Sequence, residues 1–166
     1  MSDPNKDAQP QIRGLVDEIV RLSKLDCSPE VFFAGFLSRT AAALAAHAGA
    51  IWVPGEHGWL VRWLPVCRPG SLIPNSQEHL DDRRRLAQDV FVNGKGALIK
   101  PRFADPIQGT NATDYLLMLC PVLVKREVKL VVEILQRPNP SDKTQRGYLR
   151  FLEQMCCLAG DYLKRQ

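Results

Sequence analysis

The sequence predicts an α+β domain: an antiparallel sheet with the N- and C-terminal helices packed on one face. Three observations lead there. Apolar residues recur at helical spacing at both ends of the chain, over residues 12–25 and 148–163. Two strand–turn–strand patterns lie between those ends, over residues 48–65 and 116–136. Their turns are too short for the crossover a parallel pair needs, so each pair is antiparallel.

The elements follow in chain order. Residues 1–11 are polar, carry two prolines and lack the apolar stretch of a signal peptide, so they read as a disordered leader before a single domain over 12–166. Ile12, Leu15, Val16, Ile19, Leu22 and Leu25 form the apolar row of a first helix. Asp26-Cys27-Ser28-Pro29 breaks it. Ser28 is a good N-cap, Pro29 suits a first helical position, and Glu30 complements the positive end of the helix dipole. Phe33, Phe36, Leu37, Thr40, Ala41 and Leu44 then mark the buried stripe of a second helix.

The period changes at residue 48. Residues 48–53 and 59–65 read as strands around the turn Pro54-Gly55-Glu56-His57-Gly58, with Trp59, Val61 and Trp63 on one face of the second. Residues 66–75 contain prolines and a glycine and form a loop. Residues 76–92 are a polar helix that stops at Asn93-Gly94. Residues 97–100 are a short strand, placed at an edge by Pro101. Residues 101–115 have no period, and loops this long are often functional. Residues 116–124 and 128–136 form a hairpin turning at Lys125-Arg126-Glu127, with Pro121 implying an edge position or a bulge. Asp142 with Gln145 resembles a capping box, and Tyr148, Phe151, Leu152, Met155, Leu158, Ala159, Tyr162 and Leu163 give the last helix its stripe.

This order resembles the GAF domain, a relative of the PAS fold. The resemblance rests on Gly49-Ala50-Ile51-Trp52 after a helix, and on the hairpin over 116–136 leading to Phe151-Leu152-Glu153-Gln154-Met155 in the last helix. It implies a GAF/PAS-like sheet and a regulatory or sensory module. Many GAF domains place a glycine in the last hairpin turn, where this chain has Lys125-Arg126-Glu127. A narrower resemblance is to the N-terminal GAF-like region of bacterial HlyD-type membrane-fusion (periplasmic adaptor) proteins. It is carried by Ala48-Gly49-Ala50-Ile51-Trp52, Asn111-Ala112-Thr113-Asp114-Tyr115-Leu116-Leu117, Glu133-Ile134-Leu135-Gln136-Arg137-Pro138 and Gln145-Arg146-Gly147-Tyr148-Leu149-Arg150-Phe151-Leu152. That resemblance implies a larger protein with a membrane segment beyond Gln166, and with Lys164 and Arg165 on the cytoplasmic side.

Composition narrows the function classes. The apolar share of 45% and charged share of 24% over 166 residues are those of an ordinary globular domain. No apolar run reaches the roughly 20 residues of a membrane span. The net charge is +4, and the one basic run, Arg83-Arg84-Arg85, splays around a helix without aromatic neighbours. A solvated helix surface is the expectation there, and nucleic-acid binding is not. The five cysteines contain no CxxC and, with no secretion signal, are expected as reduced thiols in a cytoplasmic setting.

Catalytic machinery is not expected. His47, His57 and His79 have no metal-ligand spacing, so no metal site and no cofactor are predicted. Neither a phosphate loop nor a nucleophile elbow is present. Asp105 and Asp114 bound the long loop and could act as acid and base only if desolvated. Asn111-Ala112-Thr113 matches a glycosylation acceptor by chance. Against the GAF pattern, no Cys-His dipeptide offers a bilin attachment, and no asparagine-lysine-phenylalanine signature of cyclic-nucleotide binding is present. No cysteine pair is assignable to the sulfoxide reduction that some GAF proteins perform.

Two readings remain open: a regulatory module that binds a small molecule between the sheet and its long loops, and a ligand-free interaction module. The first places Trp63, Cys67, Phe103, Tyr115 and Met118 at the ligand cavity, because the loops over 66–75 and 101–115 are best placed to roof a sheet. Both readings expect a parallel homodimer through the first and last helices, whose apolar surface is wider than one sheet face needs.

Overall fold

A computed structural model describes residues 4–69 and 76–166. The chain runs α1 (Pro4–Ser23), α2 (Pro29–Ala43), β1 (Ala48–Pro54), β2 (Leu60–Cys67), α3 (Gln77–Asn93), β3 (Ala97–Ile99), β4 (Ala104–Asp105), β5 (Gly109–Thr110), β6 (Leu116–Val124), β7 (Glu127–Gln136) and α4 (Asp142–Lys164). A five-stranded antiparallel sheet has the order β2-β1-β7-β6-β3, and β4 and β5 form a separate two-stranded ribbon. α2 and α4 lie on one face of the sheet, with α1 packed on both of them. α3 lies alone on the other face against β2, β6 and β7. The α+β architecture with terminal helices on one face is therefore as the sequence predicts.

The local chemistry explains the boundaries. The Ser28 hydroxyl accepts from the Val31 amide, with Pro29 in the first turn of α2. Ser76 caps α3 through the His79 amide, and Gly94 closes it in the left-handed region at φ 72°. The cap of α4 is Ser141, which accepts from Thr144, and not the Asp142 of the expected box. α1 begins at Pro4, so residues 4–11, expected as a disordered leader, are helical. Pro4 in the first turn gives up no intrahelical bond, Pro10 inside the helix gives up one, and the apolar row from Ile12 continues the same helix. Residues 1–3 lie outside the described residues.

Strand parity sets two cores. On the helix-covered face, Ile51, Met118, Cys120, Val122, Val132 and Ile134 meet Phe32, Phe33, Phe36, Leu152 and Met155. Tyr162 stacks on Phe32 at a ring separation of 3.9 Å and donates its hydroxyl to the Cys27 carbonyl. On the α3 face, Trp52, Leu60, Leu117, Leu119, Val131 and Leu135 meet Leu86, Ala87 and Val90.

Two irregularities matter. In β2, Leu64 and Pro65 both lie opposite Ala50, because Gly49 pairs with Val66 and Ile51 with Trp63. Leu64 is in the left-handed region at φ 50°, and this bulge inverts the alternation after it. The β6–β7 turn holds two residues, Lys125 and Arg126, both at positive φ, with Glu127 already in β7. Pro121 lies beyond the end of β3, where β6 needs no donor on that side.

Candidate ligand site

The sheet face under α3 contains an ionic pair that its apolar surroundings do not lead one to expect. Glu133 of β7 and Arg83 of α3 are each only 2% exposed. Arg83 Nε lies 3.4 Å from Glu133 Oε1, and the Trp52 indole N–H donates to Glu133 Oε2 at 2.8 Å. Arg62 of β2 is the register partner of Trp52, so it stands on the same face, and its charge also acts on Glu133. Burial raises the Glu133 carboxyl above its ordinary range, while Arg83, the Trp52 hydrogen bond and Arg62 pull it back.

Beside this pair is a cavity of about 230 Å³. Ala48, Gly49 and Ala50 of β1 form its floor, Arg62, Pro65, Val66 and Cys67 one wall, Glu133 and Leu135 another, and Arg83 enters from α3. The hollow follows from side-chain size. Ala48 and Ala50 put single methyl groups where the rest of this face carries Trp52, Leu117 or Val131. The β2 bulge turns Pro65 and Cys67 toward the same space as Arg62.

Of the five residues expected at a cavity, the structure brings one, Cys67, to this one. Trp63 is on the opposite face, with its ring 5.8 Å from that of Phe33 in an edge contact. Met118 is fully buried on that opposite face too, because it shares parity with Leu116 and Cys120. Phe103 and Tyr115 pack on the α3 side but do not line the cavity, and the Tyr115 ring lies 4.7 Å from that of His47. The expected roof over 66–75 is described only to residue 69; residues 70–75 lie outside the described residues.

The structure also corrects the reading of the basic run as a solvated surface, since Arg83 is buried. Spacing carried the signal: Arg83 precedes Leu86, Ala87 and Val90 by three, four and seven positions, on the apolar stripe of α3. Glu133, an acid inside the apolar strand Leu130 to Leu135, was the second signal.

The other candidates resolve into structural roles. Asp114 is exposed and Asp105 is half-buried. Arg102 holds the Asp114 carboxyl below its ordinary value at 2.7 Å. The amides of Gln108 and Ile107 do the same for Asp105. Neither is a desolvated acid or base. Asn111 is buried, and its amide nitrogen donates to the carbonyls of Lys100 and Tyr115, so it braces the long loop and is not a glycosylation acceptor. All five cysteines are free thiols. Cys120 and Cys156 meet in the helix-side core, where burial and the Cys120 contact push the Cys156 thiol well up. A hollow of about 380 Å³ opens beside them between α4 and β6, with Lys95 and Glu153 as its exposed charged groups. Among the described residues no group of His, Cys, Asp and Glu side chains is arranged to hold a metal ion. No helix among them is long and apolar enough to cross a membrane.

A five-stranded antiparallel sheet with the chain-end helices on one face, and one helix over a cavity on the other, defines a GAF-type fold. No protein-family model and no curated protein sequence matches the chain. The likeness to solved structures is extensive. The Aquifex (A. aeolicus) nlh2 GAF domain in an inactive state superposes at a TM-score of 0.73 with 16% identity, over 96% of this chain and 99% of that one. The GAF domain of the Escherichia coli potassium sensor histidine kinase KdpD gives 0.59 and 18%, over 91% and 92%. The free methionine-R-sulfoxide reductase of Neisseria meningitidis, in complex with its substrate, gives 0.70 and 13%, over 100% and 95%. At these identities the likeness establishes the fold, and it spans a sensor kinase and a reductase alike.

Proposed function

We propose that the chain is a non-catalytic regulatory or sensory module that binds a small molecule in the cavity between α3 and the sheet. One observation carries this reading: a 230 Å³ hollow, floored by alanines and bordered by a buried ion pair, in a face that is otherwise densely filled. A sensor kinase with a domain of the same fold, KdpD, favours it. The reductase alternative is disfavoured by the thiols. A thiol that attacks a sulfoxide needs a second thiol to resolve the oxidised sulfur, and Cys67 is the single cysteine among the lining residues.

A thermal-shift screen of small metabolites on the full chain, repeated with Ala50→Leu, tests this reading. Ligands should raise the melting temperature of the parent chain and leave the filled variant unmoved. A library that shifts neither, or shifts both equally, overturns it.

The ligand-free dimer module is the second reading. Leu15 and Val20 on α1 are half-exposed and belong to neither core, which favours a partner there. Light scattering over a range of concentrations tests it, with Val20→Glu expected to yield monomers. The HlyD-type resemblance supports placing the module at the cytoplasmic end of a secretion or efflux adaptor. Fractionation of cells expressing the native gene product tests that placement.

A further inference from the structure

The geometry points to a small oxyanion, a carboxylate or phosphate on a compact molecule, as the ligand of this cavity, with Arg62 as its principal recognition residue. This inference rests on the ligand-binding reading above and adds the chemical class.

Among the described residues ten line the cavity, and the charged ones are Arg62, Arg83 and Glu133, an excess of one positive charge. The two arginines differ in how far the cavity can reach them: Arg83 is buried and Arg62 is only half-buried. Arg83 is committed to Glu133 across the α3–sheet interface. Glu133 is in turn held by the Trp52 indole, so this group is a fixed platform of one acid and one cation. Arg62 is half-buried on the neighbouring strand and adds the second cation to the same wall. A cation next to low-dielectric walls gains most from an anion that it can hold by two parallel N–H donors, which is the geometry carboxylates and phosphates present. A cationic ligand would meet two guanidinium groups and one carboxylate already engaged.

Size and shape restrict the rest of the molecule. A volume of about 230 Å³ holds roughly eight water molecules at ~30 Å³ each. That suits a short-chain acid and is too small for a dinucleotide or a tetrapyrrole. Val66, Pro65, Leu135 and the alanine floor leave an apolar space beside the arginines, which fits a few methylene groups.

The test uses isothermal titration of the full chain. The probes are short mono- and dicarboxylates, inorganic phosphate and a phosphomonoester, each paired with a neutral amide or alcohol of the same shape. At least one anionic probe should bind, its neutral counterpart should bind about tenfold or more weakly, and Arg62→Gln should weaken the anion by a similar factor. Arg62→Lys should recover part of the affinity. The melting temperature of unliganded Arg62→Gln should stay close to the parent's, which separates lost recognition from lost folding. Carboxylate probes binding in preference to phosphate, or the reverse, assigns the oxyanion. Neutral probes binding as well as anions, or an anion indifferent to Arg62→Gln, overturns the anion inference while leaving the cavity a ligand site. Failure of every probe, charged or neutral, with Ala50→Leu also without effect, overturns both.

Discussion

The two faces of one sheet are built on different rules. The face under α1, α2 and α4 is built from large apolar side chains, with aromatic contacts such as Phe32 on Tyr162, and the hollow beside Cys120 and Cys156 has no buried charge on its wall. The face under α3 uses the same strands but sets alanines against a cavity and buries Glu133 and Arg83 among leucines and valines. Filling a space with hydrocarbon is the more economical way to stability, since a buried ion pair seldom outperforms apolar residues of equal volume. The α3 face thus forgoes stability that the helix face has collected, and the chemistry it keeps in exchange is placed around the cavity.

The largest expected effects test that contrast directly. On the helix face, Phe36→Ala should lower unfolding free energy by about 3–5 kcal/mol in urea titrations. On the α3 face, Glu133→Leu should cost a similar ~3–5 kcal/mol by leaving Arg83 as a buried charge. Combining it with Arg83→Met should restore stability to about the parent's or above. A double variant as unstable as the sum of the singles would show that the pair is not coupled.

Arg83→Met alone sharpens the same point through pH. Burial already raises the Glu133 carboxyl, and losing the nearest cation raises it further. A raised folded-state value means that the contribution to stability is complete below the ordinary 4.5 and is lost as pH rises through the raised value. Arg83→Met should therefore unfold more readily at neutral than at acid pH, and a variant that weakens on acidification would contradict it.

Smaller effects come from the backbone. A Cβ at Gly160 would approach the Leu123 carbonyl oxygen at 2.5 Å, so Gly160→Ala should push α4 from β6 and cost about 1–3 kcal/mol. Lys125 and Arg126 both occupy positive φ, where asparagine and glycine fit better. The pair Lys125→Asn with Arg126→Gly should stabilise by about 1 kcal/mol, read as a higher urea midpoint with unchanged slope.

The smallest effect is a titration. Partial burial and the charges of Arg68 and Arg137 hold His47 below the ordinary 6.5. Its NMR titration midpoint should lie under that value and rise in Arg68→Gln. A midpoint at or above 6.5 would show that the basic neighbours are screened.

Much of the fold was legible because periods and caps are local. The helical stripes, the Ser28 cap, the Gly94 stop and the edge position before Pro101 all read directly from neighbouring residues. Face assignment did not. β6 is apolar on both sides, so nothing in Leu116 to Val122 tells which parity meets α3, and Met118, expected at the cavity, lies in the core on the other face. The β4–β5 ribbon has two-residue strands, too short for any period, and Asn111 holds its loop by bonds to residues on either side. The site itself was hidden by a general expectation that charge is exposed. Arg83 and Glu133 violate it together, each at an apolar position of its own element, and only their pairing across the layers explains either one.

The bulge at Leu64 and Pro65 acts on β2 as an inserted letter acts on a reading frame. Before it, even-numbered residues such as Leu60 and Arg62 face α3; after it, odd-numbered residues such as Pro65 and Cys67 do. Deleting one of the two residues would restore strict alternation with Gly49 still opposite Val66 and Ala48 still opposite Cys67, so Arg62, Val66 and Cys67 would all keep their places. The bulge therefore absorbs one residue of chain length, and its removal would change only the side chain that stands over Ala50, with every side chain of β1, β7 and α3 left as it is.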